Sequence, residues 1–226
     1  MNLVALTLLA YLIGSIPFAV IVSRLFGLPD PRSYGSGNPG ATNVLRTGRK
    51  AAAALTLAGD AAKGWLAVFA AQRYAGGDYT GMAVAAAAVA VSLGHMYSAF
   101  LHLRGGKGVA TAVGVMLAVN LYVAAGAIAT WVIVALFFRI SSLAALVAAA
   151  FVPFFSFLLH GMDLLAVQPA IALTIVALLI AWRHRSNVRN LLAGTEGRIG
   201  RRDSPAGFQD PGAGTRRSEG ATGHRR

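Results

Sequence analysis

The chain has 226 residues, 56% of them hydrophobic and only 12% charged, with 20 Lys and Arg against 8 Asp and Glu and no cysteine. A mean hydropathy of +0.62 leaves too little polar surface to cover a soluble fold, so lipid is the expected solvent. A soluble globular enzyme, a disordered chain, disulfide frameworks, structural zinc sites and thiol nucleophiles are thereby excluded.

The net charge of +12 falls in clusters separated by apolar stretches, which is a membrane pattern and implies no nucleic-acid partner. The first stretch, 3–22, carries no charge before Arg24. It lacks both the leading basic residues and the cleavage site of a signal peptide, so a retained transmembrane helix is expected. Further apolar stretches cover 51–74 and 80–101, separated by a turn at Gly76-Gly77-Asp78. Residues 108–138 are uncharged throughout. One straight helix of that length would overshoot a core of roughly 30 Å, so two crossings turning near Asn120 are expected. Stretches 142–159 and 165–182 follow, joined through His160-Gly161-Met162-Asp163. The sum is an all-α polytopic membrane protein of about seven transmembrane helices, N-terminus outside and C-terminus cytoplasmic, with most Lys and Arg on the cytoplasmic face. A five-helix count would satisfy the same parity. Residues 1–199 form the expected membrane domain. Residues 200–226, rich in Gly, Pro, Ser and Arg, are expected to be a disordered basic cytoplasmic tail. There is no internal repeat of the kind that marks inverted-repeat transporters.

The chemistry-bearing residues lie between these stretches. Gly35-Ser36-Gly37-Asn38-Pro39-Gly40 has the letters of a dinucleotide fingerprint but follows a membrane stretch and a Pro-rich turn, not a strand. Its glycines can form a concave nest for an anion. Ser36, Asn38, Thr42 and Asn43 add neutral donors, and Arg46 adds a guanidinium suited to phosphate. A plain interfacial turn with a topology-marking arginine accounts for this loop equally well.

The second loop, Arg104-Gly105-Gly106-Lys107-Gly108, is not a Walker A motif. A glycine-rich turn with a lysine at the start of a helix nevertheless supplies what phosphate needs: N–H groups, the positive helix end and a point charge. The third segment holds His184 and Asn187 three apart, a spacing that shares one helical face, followed by Glu196. Alone, it reads as a stop-transfer cap of arginines. Asp60 and Lys63 at i, i+3 are either a buried ion pair or a functional intramembrane pair. The histidines lack metal-ligand spacing, so neither metal nor other cofactor is expected.

These segments together resemble the bacterial membrane-integral, acyl-phosphate-dependent glycerol-3-phosphate acyltransferase family. The matching runs are YGSGNPGATNVLR from Tyr34, Gly94-His95 with GGKGVAT from Gly105, and RHRSNVRNLLAGTE from Arg183. Asp60-Ala61-Ala62-Lys63-Gly64 and Arg139-Ile140-Ser141-Ser142-Leu143 also look like family signatures. The resemblance implies transfer of a fatty acyl group from acyl phosphate to the sn-1 hydroxyl of glycerol-3-phosphate, giving lysophosphatidic acid and phosphate in phospholipid synthesis. It implies catalytic roles for Ser36, Arg46, His184 and Asn187. Gly35, Gly37, Asn38, Thr42, Asn43, Lys63, Gly105, Gly106, Lys107, Gly108 and Ser142 form the expected substrate-binding set, and Asp60 and Glu196 are expected to be structural. The family's aromatic–Pro pair after Gly-His is replaced here by Met96-Tyr97-Ser98.

The implied setting is the bacterial inner membrane, with the active site on the cytoplasmic face. The implied partners are the two substrates, the bilayer, and a functional link to the enzyme that supplies acyl phosphate. Such chemistry needs two anions brought together and an oxyanion stabilised, which suits cations and N–H donors. The alternative function is a transporter or exchanger of an organic phosphate.

Overall fold

In the computed structural model, which describes residues 2–77 and 80–199, every regular element among the described residues is helical. The order is α1 (Leu3–Ser15), α2 (Phe18–Leu25), α3 (Ala41–Leu45), α4 (Lys50–Tyr74), α5 (Thr80–Met96), α6 (Val109–Val119), α7 (Leu121–Phe138), α8 (Ser141–Gly161), α9 (Val167–Arg183) and α10 (Arg185–Leu192). The all-α membrane class is as expected. The count of about seven crossings is not.

Four helical spans are long and apolar enough to cross a bilayer: Leu3–Leu25, Thr80–Leu101, Leu121–Phe138 and Ser141–Gly161. A fifth arises only if α9 and α10, bent by 54° at their junction, count as one span. The sequence count erred by equating apolar length with a crossing. The turn at Asn120 is where it was expected, and Asn120 Oδ1 caps α7 by accepting from the N–H groups of Tyr122 and Val123 at 2.9 and 3.2 Å. Yet α6 has 11 residues, about half the length a core of roughly 30 Å requires. Helix α4 is long but carries Asp60 and Lys63 in its middle, which lowers its apolar character. With four spans, or five if the bent pair counts as one, the count no longer fixes the parity that set the N-terminus outside and the C-terminus cytoplasmic. The basic tail lies outside the described residues.

Two helix crossings position the site, and both are built on reciprocal glycines. A Cβ on Gly64 would run into the Thr111 carbonyl, and one on Gly114 into that of Ala61, so α4 and α6 touch backbone to backbone. Gly14 and Gly94 do the same for α1 and α5 against Val91 and Tyr11. Small residues are how membrane helices gain van der Waals contact where lipid offers no hydrophobic drive. The main core cluster gathers small residues of α4, α5 and α9, such as Ala71, Ala87 and Ala170, around Val91, Val115 and Leu173. The large apolar side chains Phe137, Leu136 and Leu178 point outward, as lipid solvent permits. These crossings bring the end of α5, the start of α6 and the middle of α4 to one place.

Candidate functional site

The first loop is organised from within by Asn43 of α3. Its side-chain oxygen accepts the Ser36 N–H at 3.0 Å, and its amide donates to the carbonyls of Pro31 at 2.7 Å and Tyr34 at 3.2 Å. Gly35 and Gly37 hold φ of 56° and 65°, the left-handed region that glycine adopts without strain. A Cβ on Gly35 would strike the Asn43 oxygen and lie 2.9 Å from Arg46 Cδ, so the turn lies against the Arg46 stem. Ser36 and Thr42 are exposed and Asn38 is half-buried. The Thr42 and Ser141 hydroxyls lie 3.2 Å apart, tying this loop to the start of α8. A shallow cavity opens here, lined by Thr42, Arg46, Ser141, Gly197 and their neighbours.

The second loop is clamped on both sides. The N–H groups of Gly105 and Gly106 donate to the carbonyls of Met96 and His95 at 3.2 and 3.1 Å. Their own carbonyls accept from Arg183, Gly105 from Nη2 at 3.0 Å and Gly106 from Nε at 3.2 Å. Neither of these N–H groups is left for an anion. Both glycines pack too closely for a side chain: a Cβ on Gly105 would meet the His95 carbonyl, and one on Gly106 the His95 imidazole. Gly108, at φ 85°, caps α6. Lys107, half-buried, lies between Gly106 and Gly108.

The third segment does not run as one helix. Arg183 ends α9, His184 sits at the bend and α10 begins at Arg185, so the spacing of three does not place His184 and Asn187 on a continuous face. His184 is buried, with Nδ1 2.8 Å from the Ile180 carbonyl. A carbonyl only accepts, so Nδ1 carries the proton and a neutral ring offers a lone pair at Nε2. Asn187 and Ser142 both donate to Glu196 Oε1, each at 2.7 Å. Glu196 thus fastens α10 to α8. The side-chain oxygen of Asn187 is buried without a hydrogen-bond partner.

Geometry links the three segments: Arg183 holds the two carbonyls preceding Lys107, and a Cβ on Gly197, next to Glu196, would lie 2.7 Å from Arg46 Nη2. Burial pushes the Lys107 ammonium below the ordinary lysine range; Glu196 opposes that shift, while Arg183 and Arg46 add to it. One residue therefore feels charges from the first loop, from the end of α9 and from the third segment. Lys107, Glu196 and Arg183 also act electrostatically on His184. The arrangement brings the cations Arg46, Lys107 and Arg183 together with neutral donors and the Glu196 carboxylate, a set suited to phosphate groups.

Asp60 and Lys63 sit deeper. Lys63 Nζ lies 2.8 Å from Asp60 Oδ1 and 2.8 Å from the Ile16 carbonyl, which also accepts the Phe18 N–H at 3.2 Å at the break between α1 and α2. His95 Nδ1 approaches the same carboxylate oxygen at 3.4 Å. Sequence spacing indicated the Asp60–Lys63 pair. It did not indicate the His95 contact or the Arg183 clamp: both residues lie in motifs, but their partners are far away in the chain and spacing says nothing about them. Among the described residues no group of His, Asp and Glu is arranged to hold a metal.

The profile of the glycerol-3-phosphate acyltransferase family matches residues 4–194. The chain is 60% identical over 198 residues to the glycerol-3-phosphate acyltransferase of Bordetella petrii, covering 87% of this chain and 92% of that one. Against the Cupriavidus taiwanensis glycerol-3-phosphate acyltransferase the identity is 58% over 196 residues, covering 85% and 94%. It also superposes with a TM-score of 0.80 on the crystal structure of PlsY (YgiH), an integral membrane glycerol 3-phosphate acyltransferase, in its glycerol 3-phosphate form. That match has 37% identity and covers 88% of this chain and 96% of the other. The lysophosphatidic acid form of PlsY gives a TM-score of 0.78 at 36% identity, with the same coverage.

Proposed function

Since the chain belongs to the bacterial membrane-integral glycerol-3-phosphate acyltransferase family, we propose how its residues divide the work of that reaction. The enzyme moves a fatty acyl group from acyl phosphate to glycerol-3-phosphate, giving lysophosphatidic acid and phosphate. It is a multi-pass inner-membrane protein of phospholipid biosynthesis.

The observation that carries the assignment is that Arg183 holds the two carbonyls preceding Lys107, while Arg46 lies against Gly197, the neighbour of the Glu196 that Ser142 and Asn187 hold. Two anionic substrates must be brought together against their mutual repulsion, and acyl transfer then needs little more than positioning and oxyanion stabilisation. In this reading Lys107 and Arg46 engage phosphate, Arg46 with its planar fork. Ser36, Thr42 and the turn at Gly35, Gly37 and Asn38 complete the first wall. Gly105, Gly106 and Gly108 shape the second wall rather than donate from every N–H, and Asn43 keeps the first loop in shape. Asn187 presents its unpartnered oxygen while Ser142 and Glu196 hold it in place. Asp60 stays structural, and Lys63, expected among the substrate-binding residues, is read instead as its ion-pair partner.

The attacking hydroxyl must lose a proton. A substrate phosphate, with a second pKa of about 6, is a competent acceptor near neutral pH. His184, protonated on Nδ1, orients the neighbouring glycerol hydroxyl by accepting its hydrogen bond at Nε2. We place the site on the cytoplasmic face because the Lys and Arg residues cluster around it. Acyl phosphate is a reactive mixed anhydride, which favours a functional link to the enzyme that makes it.

The test is a defined assay with purified protein, acyl phosphate and labelled glycerol-3-phosphate. Lysolipid and phosphate should form in equal amounts, and only when both substrates are present. A phosphate exchanger would move label across proteoliposomes and make no lipid.

A further inference from the structure

We propose that Arg183 is a positioning residue, a two-pronged clamp that sets the Gly105-Gly106 turn and through it the placement of Lys107. The inference rests on the reading of Lys107 as an anion contact. The turn has an unusual polarity. The N–H groups of Gly105 and Gly106 both face the last carbonyls of α5, and their two carbonyls both face the Arg183 guanidinium. Lys107 is the next residue along, so any rotation of these two peptides swings its side chain.

The guanidinium is itself seated. Its carbon lies 5.2 Å from the centre of the Tyr97 ring, a cation–π distance. Tyr97 follows the two residues, His95 and Met96, whose carbonyls hold the turn from the other side. As the last residue of α9, Arg183 also sits where a helix end favours positive charge. Two of its donor nitrogens are engaged by backbone carbonyls of the loop. That geometry marks a side chain acting through the loop and not a direct anchor for substrate. It also gives the aromatic at position 97 a purpose: a flat seat for the clamp. A lysine would keep the charge at 183 but could not reach both carbonyls in one plane.

The experiment is a double-mutant cycle on the purified, full-length enzyme. Wild type, Arg183→Lys, Lys107→Ala and the double variant are compared for kcat and for KM of each substrate, with melting temperature and the folded fraction recorded. Arg183→Lys should raise KM for at least one phosphate substrate by about tenfold in the wild-type background, equivalent to about 1.4 kcal/mol. In the Lys107→Ala background the same change should cost less than about threefold, because the group it positions has gone. Equal factors in both backgrounds, or Arg183→Lys kinetics within twofold of wild type, would overturn the clamp. If Arg183→Lys does not fold, Tyr97→Leu removes the seat and leaves every loop hydrogen bond in place. It should raise KM in the wild-type background only, and an equal rise beside Lys107→Ala counts against the proposal. A wild-type enzyme that makes no lysolipid would refute the assigned reaction instead, and it is measured first.

Discussion

Gly106→Ala tests whether the second loop works through packing or through open N–H groups. The added Cβ would meet the His95 imidazole nitrogen and lie 3.1 Å from both His95 Cε1 and the Pro39 carbonyl. Neither neighbour yields easily. The His95 ring is buried, with its other nitrogen 3.4 Å from Asp60, and Pro39 is buried in the first loop. The turn must therefore move outward and strain the Gly106 N–H bond to His95 and the Arg183 bonds. Overpacking costs roughly 1–3 kcal/mol, and each weakened hydrogen bond adds about 1 kcal/mol. A loop displaced by about 1 Å can cost a hundredfold in rate. The expected outcome is a lower melting temperature together with a ten- to hundredfold fall in kcat/KM, roughly 1.4 kcal/mol per tenfold, carried mainly by KM. The double variant Gly106→Ala with His95→Ala should recover part of that loss, since the clash is with His95. Calorimetry or a fluorescence melt, run beside the labelled-substrate assay, reads both quantities. Unchanged melting with a raised KM, and no relief from His95→Ala, would show that the Cβ blocks the anion itself and that the packing argument is wrong.

Arg46→Lys should lose at least tenfold in kcat/KM although its charge is kept, because a point charge cannot replace a bidentate fork; near-normal activity would reduce Arg46 to a topology marker. Lys107 titrates below the ordinary lysine range, so substrate binding should weaken as pH rises through that lowered pKa. Lys107→Arg should remove that basic limb from the kcat/KM profile, and Glu196→Gln should move it to lower pH, since the carboxylate that favours the charged ammonium is neutralised. A limb that stays put in both variants would place the titrating group elsewhere. Gly114→Ala drives a Cβ into the Ala61 carbonyl at the α4–α6 crossing and should destabilise the protein by about 1–3 kcal/mol or more, read as a lower melting temperature in detergent. Truncation after Gly200 should leave insertion and turnover intact, because the composition beyond it is too polar and Gly-rich to pack a core; loss of folded protein would contradict that.

What could be read from the sequence followed from local chemistry. The turn near Asn120 was legible because the uncharged stretch 108–138 is too long for one straight crossing; the structure adds that the Asn120 side chain caps the helix that follows. Asp60 and Lys63 announced their pairing because three residues is nearly one helical turn. The glycine loops were visible as runs of glycine with a cation. The crossing count was not legible, because a charge-free stretch fixes apolar length but not where a helix stops: α6 ends after 11 residues, and α9 bends at His184. The inner wiring was hidden for a different reason. The Arg183 bonds to the second loop span 77 and 78 residues of sequence, and Ser142 reaches Glu196 across 54. Periodicity carries no information over such distances. Arg183 looked like one more arginine closing a membrane helix, and only the fold reveals the two carbonyls it holds.

The central claim, that Lys107 lies against a substrate phosphate where the three segments meet, is tested most directly by a distance. Solid-state NMR of the enzyme in lipid, with nitrogen-15 on the lysine side chains and glycerol-3-phosphate or acyl phosphate bound, reads dipolar coupling between each ammonium and phosphorus. With at least one of these substrates the account predicts strong dephasing of a single lysine signal, corresponding to a separation of about 4 Å or less, as a charge-assisted hydrogen bond requires, and its disappearance in Lys107→Arg. A saturated complex in which no lysine nitrogen couples to phosphorus, or in which the coupling survives in Lys107→Arg, would contradict it.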